Sequence, residues 1–476
     1  MVDTDLLSIQ EARSLVRCAR TALAEFAKAD QEQVDDIVKA IAARAASQAE
    51  ALAKMAVEET GFGKWQDKKQ KNILASEIVW NHIKSIKTIG ILKEDKEKKI
   101  LEIATPAGVI AGLIPSTNPT STAIYKVMIA LKAGNAIVFS PHPSALKCIT
   151  ATITMIQEVL KEKGVSENLV SVMSYPTIEG TAELMKVSDL ILATGGPGMV
   201  KAAYSSGTPA LGVGSGNVPV FVERSADIED AVTKIIASKT FDNGTVCASE
   251  QALITEKVIA DKVKATLIAQ GCYFLEGEDL QRVKGVMERA DGSMNPAIVG
   301  RDAQTIASMA KINIPANTRI MMSEETEVGP KVAFSKEKLT ALMAFYVVGD
   351  WQEACELSFK LLKNGGLGHS LAIHSNNDEV VREFAMKKPV SRLLVNTPST
   401  HGAVGLSTNL SPSLTLGCGT VGGGSTSDNV DTLHLFNIRR VAYGVNTNGM
   451  EAPPVKEAEI DVRRLTEMIM EQLKAI

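Results

Sequence analysis

The stretch GVIAGLIPSTNPTSTAIYK, Gly108 to Lys126, joins a continuous apolar run, a loop of Pro, Ser, Thr and Asn, and the start of a helix. A run that is apolar at every position, with no polar alternation, is what a strand buried on both faces of a parallel sheet requires. The unit recurs downstream. NAIVFS (Asn135 to Ser140) precedes a helix from Ser144, LVSVMS (Leu169 to Ser174) follows, and DLILATG (Asp189 to Gly195) leads into another helical stretch. Apolar strands joined by crossover helices predict a doubly wound, Rossmann-type α/β domain. Ligands of such sheets sit beyond the carboxyl ends of the strands, here PSTNP (Pro115 to Pro119), SPHPS (Ser140 to Ser144) and TGGPG (Thr194 to Gly198).

Working outward, the first hundred residues carry Ala, Glu and Lys-rich helical patterns such as DQEQVDDIVKAIAARAASQAEALAKMAVEET, expected to cover the sheet. A second strand and helix alternation, with QALIT, SLAIHS and RLLVN as strands, runs from about Ser225 to Asn396. The expected division is a cofactor domain over 1–224 and a second α/β domain over 225–412. Residues 413–445 then return to the first domain, and 446–456 form a Pro-containing linker. Over 457–476, Ala458, Val462, Leu465, Ile469, Leu473 and Ile476 form one apolar stripe, so this end is expected to be an amphipathic helix docked on something. Its own oligomer and a separate partner are both open. The interdomain cleft is the default site.

With 476 residues, 45% of them hydrophobic, the chain can bury large cores. Its net charge is −4, with Lys and Arg spread throughout, which offers no footprint for nucleic acid or an anionic membrane. No apolar run approaches the roughly 18 residues of a membrane span, and the start MVDTDLLSIQEARSLVRCAR has no signal-peptide pattern, so a cytoplasmic location is expected. Six cysteines are scattered with no CxxC pair and no His at metal-ligand spacing. Neither a disulfide framework nor a metal site is expected.

Two segments hold candidate chemistry. TGGPGMVKAAYSSG follows an apolar strand and opens a helix, so its glycines permit close approach and its helix N-terminus presents free N–H groups to a phosphate; an ordinary Gly-rich turn reads the same way. KTFDNGTVCASEQ (Lys239 to Gln251) places Cys247 after an Asp, Asn, Gly turn. The thiol is expected at a helix N-terminus, where a thiolate is stabilised, although most cytosolic cysteines simply fill core space. From these residues alone, both readings of Cys247 stand.

PSTNPTSTAIYK, TGGPGMVKAAYSSG, GVGSGNVPVFV, FDNGTVCASEQ, GGLGHS and SPSLTLGCGTVGGGSTSDNV occur in the order that resembles the aldehyde dehydrogenase superfamily, and in it the CoA-acylating branch. The likeness is to the aldehyde dehydrogenase half of bifunctional aldehyde and alcohol dehydrogenases, over about residues 5 to 445. It implies that Cys247 is the nucleophile, that Asn118 and the Cys247 backbone N–H hold the oxyanion, and that His369 assists CoA deprotonation. It further implies that Ser140, Pro141, His142 and the Thr194, Gly195, Gly196 and Gly198 turn contact NAD, with Glu337 toward the nicotinamide ribose. Hydrolytic relatives carry a water-activating glutamate in the segment matching GVGSGNVPV (Gly212 to Val220), which contains no acid here. Coenzyme A is therefore the expected acyl acceptor.

The resemblance implies acetaldehyde or another short aldehyde as substrate. Sulfoacetaldehyde, succinate semialdehyde, a hydrolytic reaction, or a catalytically silent scaffold that keeps the fold are the alternatives. An anionic aldehyde would want a cation in its tunnel, for which Lys126 and Arg392 are candidates. The likeness also implies a homodimer or homotetramer built through a small oligomerisation hairpin near 97–108 and the strand in HLFNIRRVAYGV. The tail resembles segments that target enzymes to bacterial microcompartments, which makes a shell protein a candidate partner.

Overall fold

The Ala-rich N-terminal segment forms four helices, Thr4–Phe26, Gln31–Ser47, Ala49–Thr60 and Trp65–Ile73, in a computed structural model that describes residues 3–445. Asp30 starts the second helix with a reciprocal capping box to Gln33, which satisfies N–H groups that the helix itself cannot. The expected helix over 457–476 and its linker lie outside the described residues.

Strands β1 (Ile91–Asp95) and β2 (Ile100–Pro106) make an antiparallel hairpin. Strands β3 (Val109–Ile114), β4 (Ala136–Pro141), β5 (Val170–Val172), β6 (Leu190–Thr194) and β7 (Ala210–Val213) form a parallel sheet in the order β5-β4-β3-β6-β7. The chain first builds outward from β3 to β5 and then resumes on the other side of β3. The switch point between β3 and β6 is the crevice in which such sheets take ligands. One core unites this sheet with the N-terminal helices, through residues such as Ile41, Ile110, Ile129 and Phe139.

A second parallel sheet follows, made of β8 (Val218–Val222), β9 (Glu250–Glu256), β10 (Cys272–Phe274), β11 (Ile320–Glu324), β12 (Leu342–Val348), β13 (Gly368–His374) and β14 (Val390–Val395). Its order is β10-β11-β12-β9-β8-β13-β14. It opens at Val218, ahead of the boundary expected at 224, because VPVFV pairs with β9 and β13 and not with β7. Phe221 and Ile254 face one core while Val220, Val222 and Leu253 face another, so both faces of the sheet are covered. Strand β15 (Phe436–Ala442) then pairs with β2, completing a three-stranded antiparallel sheet. Among the described residues, no helix is long and apolar enough to cross a membrane.

Candidate active site

The loops after β3, β4 and β6 open into one cavity of ≈ 420 Å³, and the turn before β9 closes its far wall. Cys247, Asn118, Ser140, Pro141, His142, Thr194, Gly195, Gly196 and Glu337 all line it. Of the other two expected site residues, Gly198 stands one residue behind the wall between the lining Pro197 and Met199, and His369 is off the wall.

Cys247 does not sit at a helix N-terminus. The short helical turn Phe241–Gly244 ends before it, and the Ser249 N–H donates to the Val246 carbonyl, which makes Cys247 the second residue of a tight turn leading into β9. The surroundings oppose ionisation of the thiol. Burial, followed by the charge of Glu337, pushes the thiol up to about 12, against a smaller pull from Arg392. Burial and Glu337 thus favour the thiol over the thiolate. All six cysteines are free, and among the described residues only Cys247 lines this cavity.

The turn rests on an unusual backbone. Asp242 and Asn243 both have φ of +50°, and Gly244 follows at +78°. Left-handed geometry is costly for residues with a Cβ, so neighbours must impose it. Asp242 is fully buried and accepts hydrogen bonds at Oδ1 from the Lys64 N–H (2.7 Å) and at Oδ2 from Lys68 (2.9 Å), Lys71 and the Thr245 hydroxyl (2.6 Å). Its own N–H donates to Asp67 (2.7 Å). Gly63 makes room for this, since a Cβ there would lie 1.8 Å from Asp242 Oδ1. Burial alone would raise the Asp242 carboxyl, but Lys71 and Lys68 reverse that and hold it below its ordinary value.

Asn118 follows β3 and precedes the helix Pro119–Lys132. Its Oδ1 accepts from Lys71 Nζ (2.6 Å) and its Nδ2 donates to the Thr245 carbonyl (2.9 Å). An ammonium only donates and a carbonyl only accepts, so these two neighbours fix which end of the amide is which. Thr245 takes one N–H, and the other has only a long contact to the Thr117 hydroxyl (3.4 Å), which an oxygen near Cys247 could replace. Lys68 and Lys71 were missed as site residues because WQDKKQKNI reads as a solvated charged helix.

The β7–β8 loop carries no carboxylate, yet one reaches it from elsewhere. Glu337 Oε1 accepts from the Gly216 N–H (3.0 Å), and among the described residues it is the only carboxylate on the cavity wall. Burial raises it to about 7 against the pull of that N–H and of Lys239 and Lys338. Gly216 also separates Cys247 from His369: a Cβ on Gly216 would lie 2.4 Å from the Cys247 carbonyl oxygen and 3.0 Å from the imidazole Cγ. His369 is fully buried, with Nδ1 3.0 Å from the Ser370 hydroxyl and no partner at Nε2. Burial and then Arg392 hold the ring neutral, down to about 3.

The cofactor side fits a dinucleotide. Gly196 caps the helix Pro197–Ser205, and a Cβ at Gly196, Gly198 or Gly214 would meet nothing within 4 Å. These glycines leave room that packing does not use, at a helix end whose free N–H groups suit a diphosphate. The Ser140 hydroxyl is occupied by Thr181 (2.7 Å). Pro176, Thr177 and Ile178, which the sequence patterns did not mark, complete this wall. Among the described residues, no three His, Cys, Asp or Glu side chains gather as a metal site would.

The aldehyde dehydrogenase family model matches residues 3–323. The chain belongs to the aldehyde dehydrogenase family. It is 43% identical to the bifunctional aldehyde-alcohol dehydrogenase of Escherichia coli K12 over 91% of this chain and 50% of that protein. This family member thus spans about half the length of that relative. An acetylating aldehyde dehydrogenase from Geobacillus thermoglucosidasius superposes with a TM-score of 0.92 at 51% identity, covering 95% of this chain and 100% of the other. A propionaldehyde dehydrogenase from the fucose-utilisation microcompartment of Clostridium phytofermentans gives a TM-score of 0.83 at 29% identity, covering 91% and 97%.

Lys126 and Arg392, the candidate cations for an anionic aldehyde, are not on the cavity wall. Lys126 donates to the carbonyls of Leu113 (2.7 Å) and Leu192 (2.8 Å), and Arg392 to those of Gly417, His369 and Ser427 and to the Asn429 side chain. Around Cys247 the wall is instead Leu74, Phe241, Val246, Val404, Leu406 and Leu414.

Proposed function

We propose that this chain is a CoA-acylating aldehyde dehydrogenase, converting an uncharged short-chain aldehyde, CoA and NAD to acyl-CoA and NADH. One observation carries the reading: Cys247 and an amide of fixed orientation, Asn118, share a cavity with the cofactor loops, beside a β7–β8 loop without an acid.

Cys247, once its thiol proton has passed to solvent, forms a C–S bond with the aldehyde carbon, and the oxygen's new charge meets the Asn118 N–H not held by Thr245 and the Cys247 backbone N–H. The nicotinamide of bound NAD supplies the hydride acceptor that leaves a thioester on Cys247. Attack by the CoA thiolate then forms the C–S bond of acyl-CoA as the C–S bond to Cys247 breaks, releasing the cysteine as its thiolate. Ser140, Pro141, His142, Thr194, Gly195, Gly196 and Gly198 hold the dinucleotide, with Glu337 toward the ribose; His369 aids CoA deprotonation. The apolar wall and its single lysine, already engaged by Asp242, support an uncharged substrate over a sulfonated or carboxylated one.

A hydrolytic reading has one observation in its favour, Glu337 at the position of the missing acid. NADH formation from acetaldehyde with and without CoA separates the two. Strict dependence on CoA, lost in Cys247→Ala, supports acylation, and equal rates without CoA would refute it. Domain roles follow the sheets, with NAD on the five-stranded sheet and Cys247 carried by the seven-stranded one. The three-stranded sheet, exposing Ile91 and Ile438 with Tyr443 just beyond its last strand, suits self-assembly into a dimer or tetramer. A cytoplasmic enzyme that enters a microcompartment through residues 457–476 is tested by truncation at Pro453, which should spare activity and abolish co-assembly with shell proteins.

A further inference from the structure

Two lysines and one aspartate are buried together beneath Asn118, and none of the three is a site residue that the family resemblance supplied. Lys68 and Lys71 both contact Asp242 Oδ2, and all three side chains are at most 4% exposed. Lys68 donates otherwise to the Thr117 backbone carbonyl (2.8 Å), whereas Lys71 donates to Asn118 Oδ1 (2.6 Å) and lines the cavity. Within the buried trio two cations face one anion, and the second carboxylate nearby, Asp67 on the Asp242 N–H (2.7 Å), is only part-buried, so Lys71 keeps positive charge next to the Asn118 amide. A developing oxyanion that takes the Asn118 N–H from its long contact to Thr117 would use that charge.

Resting on the functional reading above, we propose that Lys71 is a positioning residue that acts through Asn118. Its ammonium holds the amide oxygen so that the N–H faces the Cys247 turn, and it polarises that N–H toward negative charge. Asp242 serves both partners, because it anchors Lys71 and the left-handed turn that presents Cys247. The helix Trp65–Ile73 and the cysteine turn are thereby tied into one unit across 174 residues of sequence. Lys71 is also a group whose charge costs something to keep: burial outweighs Asp242 and lowers it to about 8.

Removing Lys71 leaves Lys68 and Asp242 paired one to one, so Lys71→Met strands no buried anion. The test is a double-mutant cycle read by the pre-steady-state burst of NADH with acetaldehyde. Lys71→Met should slow the burst about 10- to 100-fold, the loss expected for a hydrogen bond to a charged group. In an Asn118→Ala background the same change should cost no more than about threefold, because its target is gone. Reaction of Cys247 with methyl methanethiosulfonate, which builds no oxyanion, should stay within about twofold of the parent enzyme. Lys71→Arg, which keeps charge and donors, should recover part of the burst, and Lys68→Met should cost less than Lys71→Met. A full burst in Lys71→Met, equal losses with and without Asn118, or parallel loss of thiol reactivity would overturn the role. If the unmodified enzyme gives no burst and no CoA-dependent NADH, the functional reading fails first and this role with it.

Discussion

Asn118 and His369 both lie close to the Cys247 turn, and they are held in contrasting ways. Asn118 has Lys71 on its oxygen and the Thr245 carbonyl on one N–H, so it cannot rotate without breaking a charge-assisted bond. His369 has one nitrogen against Ser370, the other unpartnered, and Gly216 between its ring and the Cys247 carbonyl. On the proposed reaction, the amide that would meet the oxyanion of the first half is already positioned as folded. A role for His369 in the CoA step requires the Gly216 loop to yield. The contrast divides the proposed reaction into a first half that is built in and a second half that needs rearrangement.

Cys247 is the residue that both halves of the proposed reaction share. Cys247→Ala should abolish the NADH burst and CoA-dependent turnover alike, by on the order of 10⁴-fold or more. Next, Asn118→Ala should slow the burst about 100- to 1000-fold, as loss of one oxyanion donor typically does, with the NAD KM little changed. His369→Ala should then show the opposite split: a normal burst, but CoA-dependent steady-state turnover lowered about 100-fold, the scale of lost acid–base assistance. If His369→Ala slows the burst as much as Asn118→Ala, the two residues serve one step and the division fails.

The smallest expected effect is on stability, in the return segment that also bonds Arg392 beneath His369. His434 lies between Asp431 and Asp428, each 3.1 Å away, and is raised from 6.5 to about 9, first by its hydrogen bond with Asp431. A folded value above the unfolded one contributes stability that is complete below about pH 6.5 and disappears as pH rises through 9. The melting temperature should therefore fall more steeply between pH 6 and pH 10 in the parent than in His434→Gln, and parallel curves would contradict the assignment.

The first sheet could be read from sequence because GVIAGLI and NAIVFS are buried on both faces and so have no polar positions to obscure them. The loops at the strand ends followed from topology. Cys247 and Asn118 rested on family likeness, since a cysteine after Asp-Asn-Gly is ambiguous by itself. What stayed hidden depends on distant partners. Lys68 and Lys71 lie in a helix as polar as any surface helix, and only Asp242, far along the chain, explains why they are inside. The expected helix N-terminus at Cys247 failed for the same reason, because consecutive left-handed residues are imposed by Lys64, Asp67 and Lys71 and not by local propensity. Glu337 was readable as a residue, but its hydrogen bond to the acid-free loop was not.

On the proposed reaction, the acyl group on Cys247 waits for CoA and not for water. Rapid mixing of the enzyme with NAD and acetaldehyde in the absence of CoA tests it most directly. We expect one equivalent of NADH per active site, then a stall that CoA relieves at once. Continuous NADH production at the CoA-supported rate, with acetate accumulating, would contradict it.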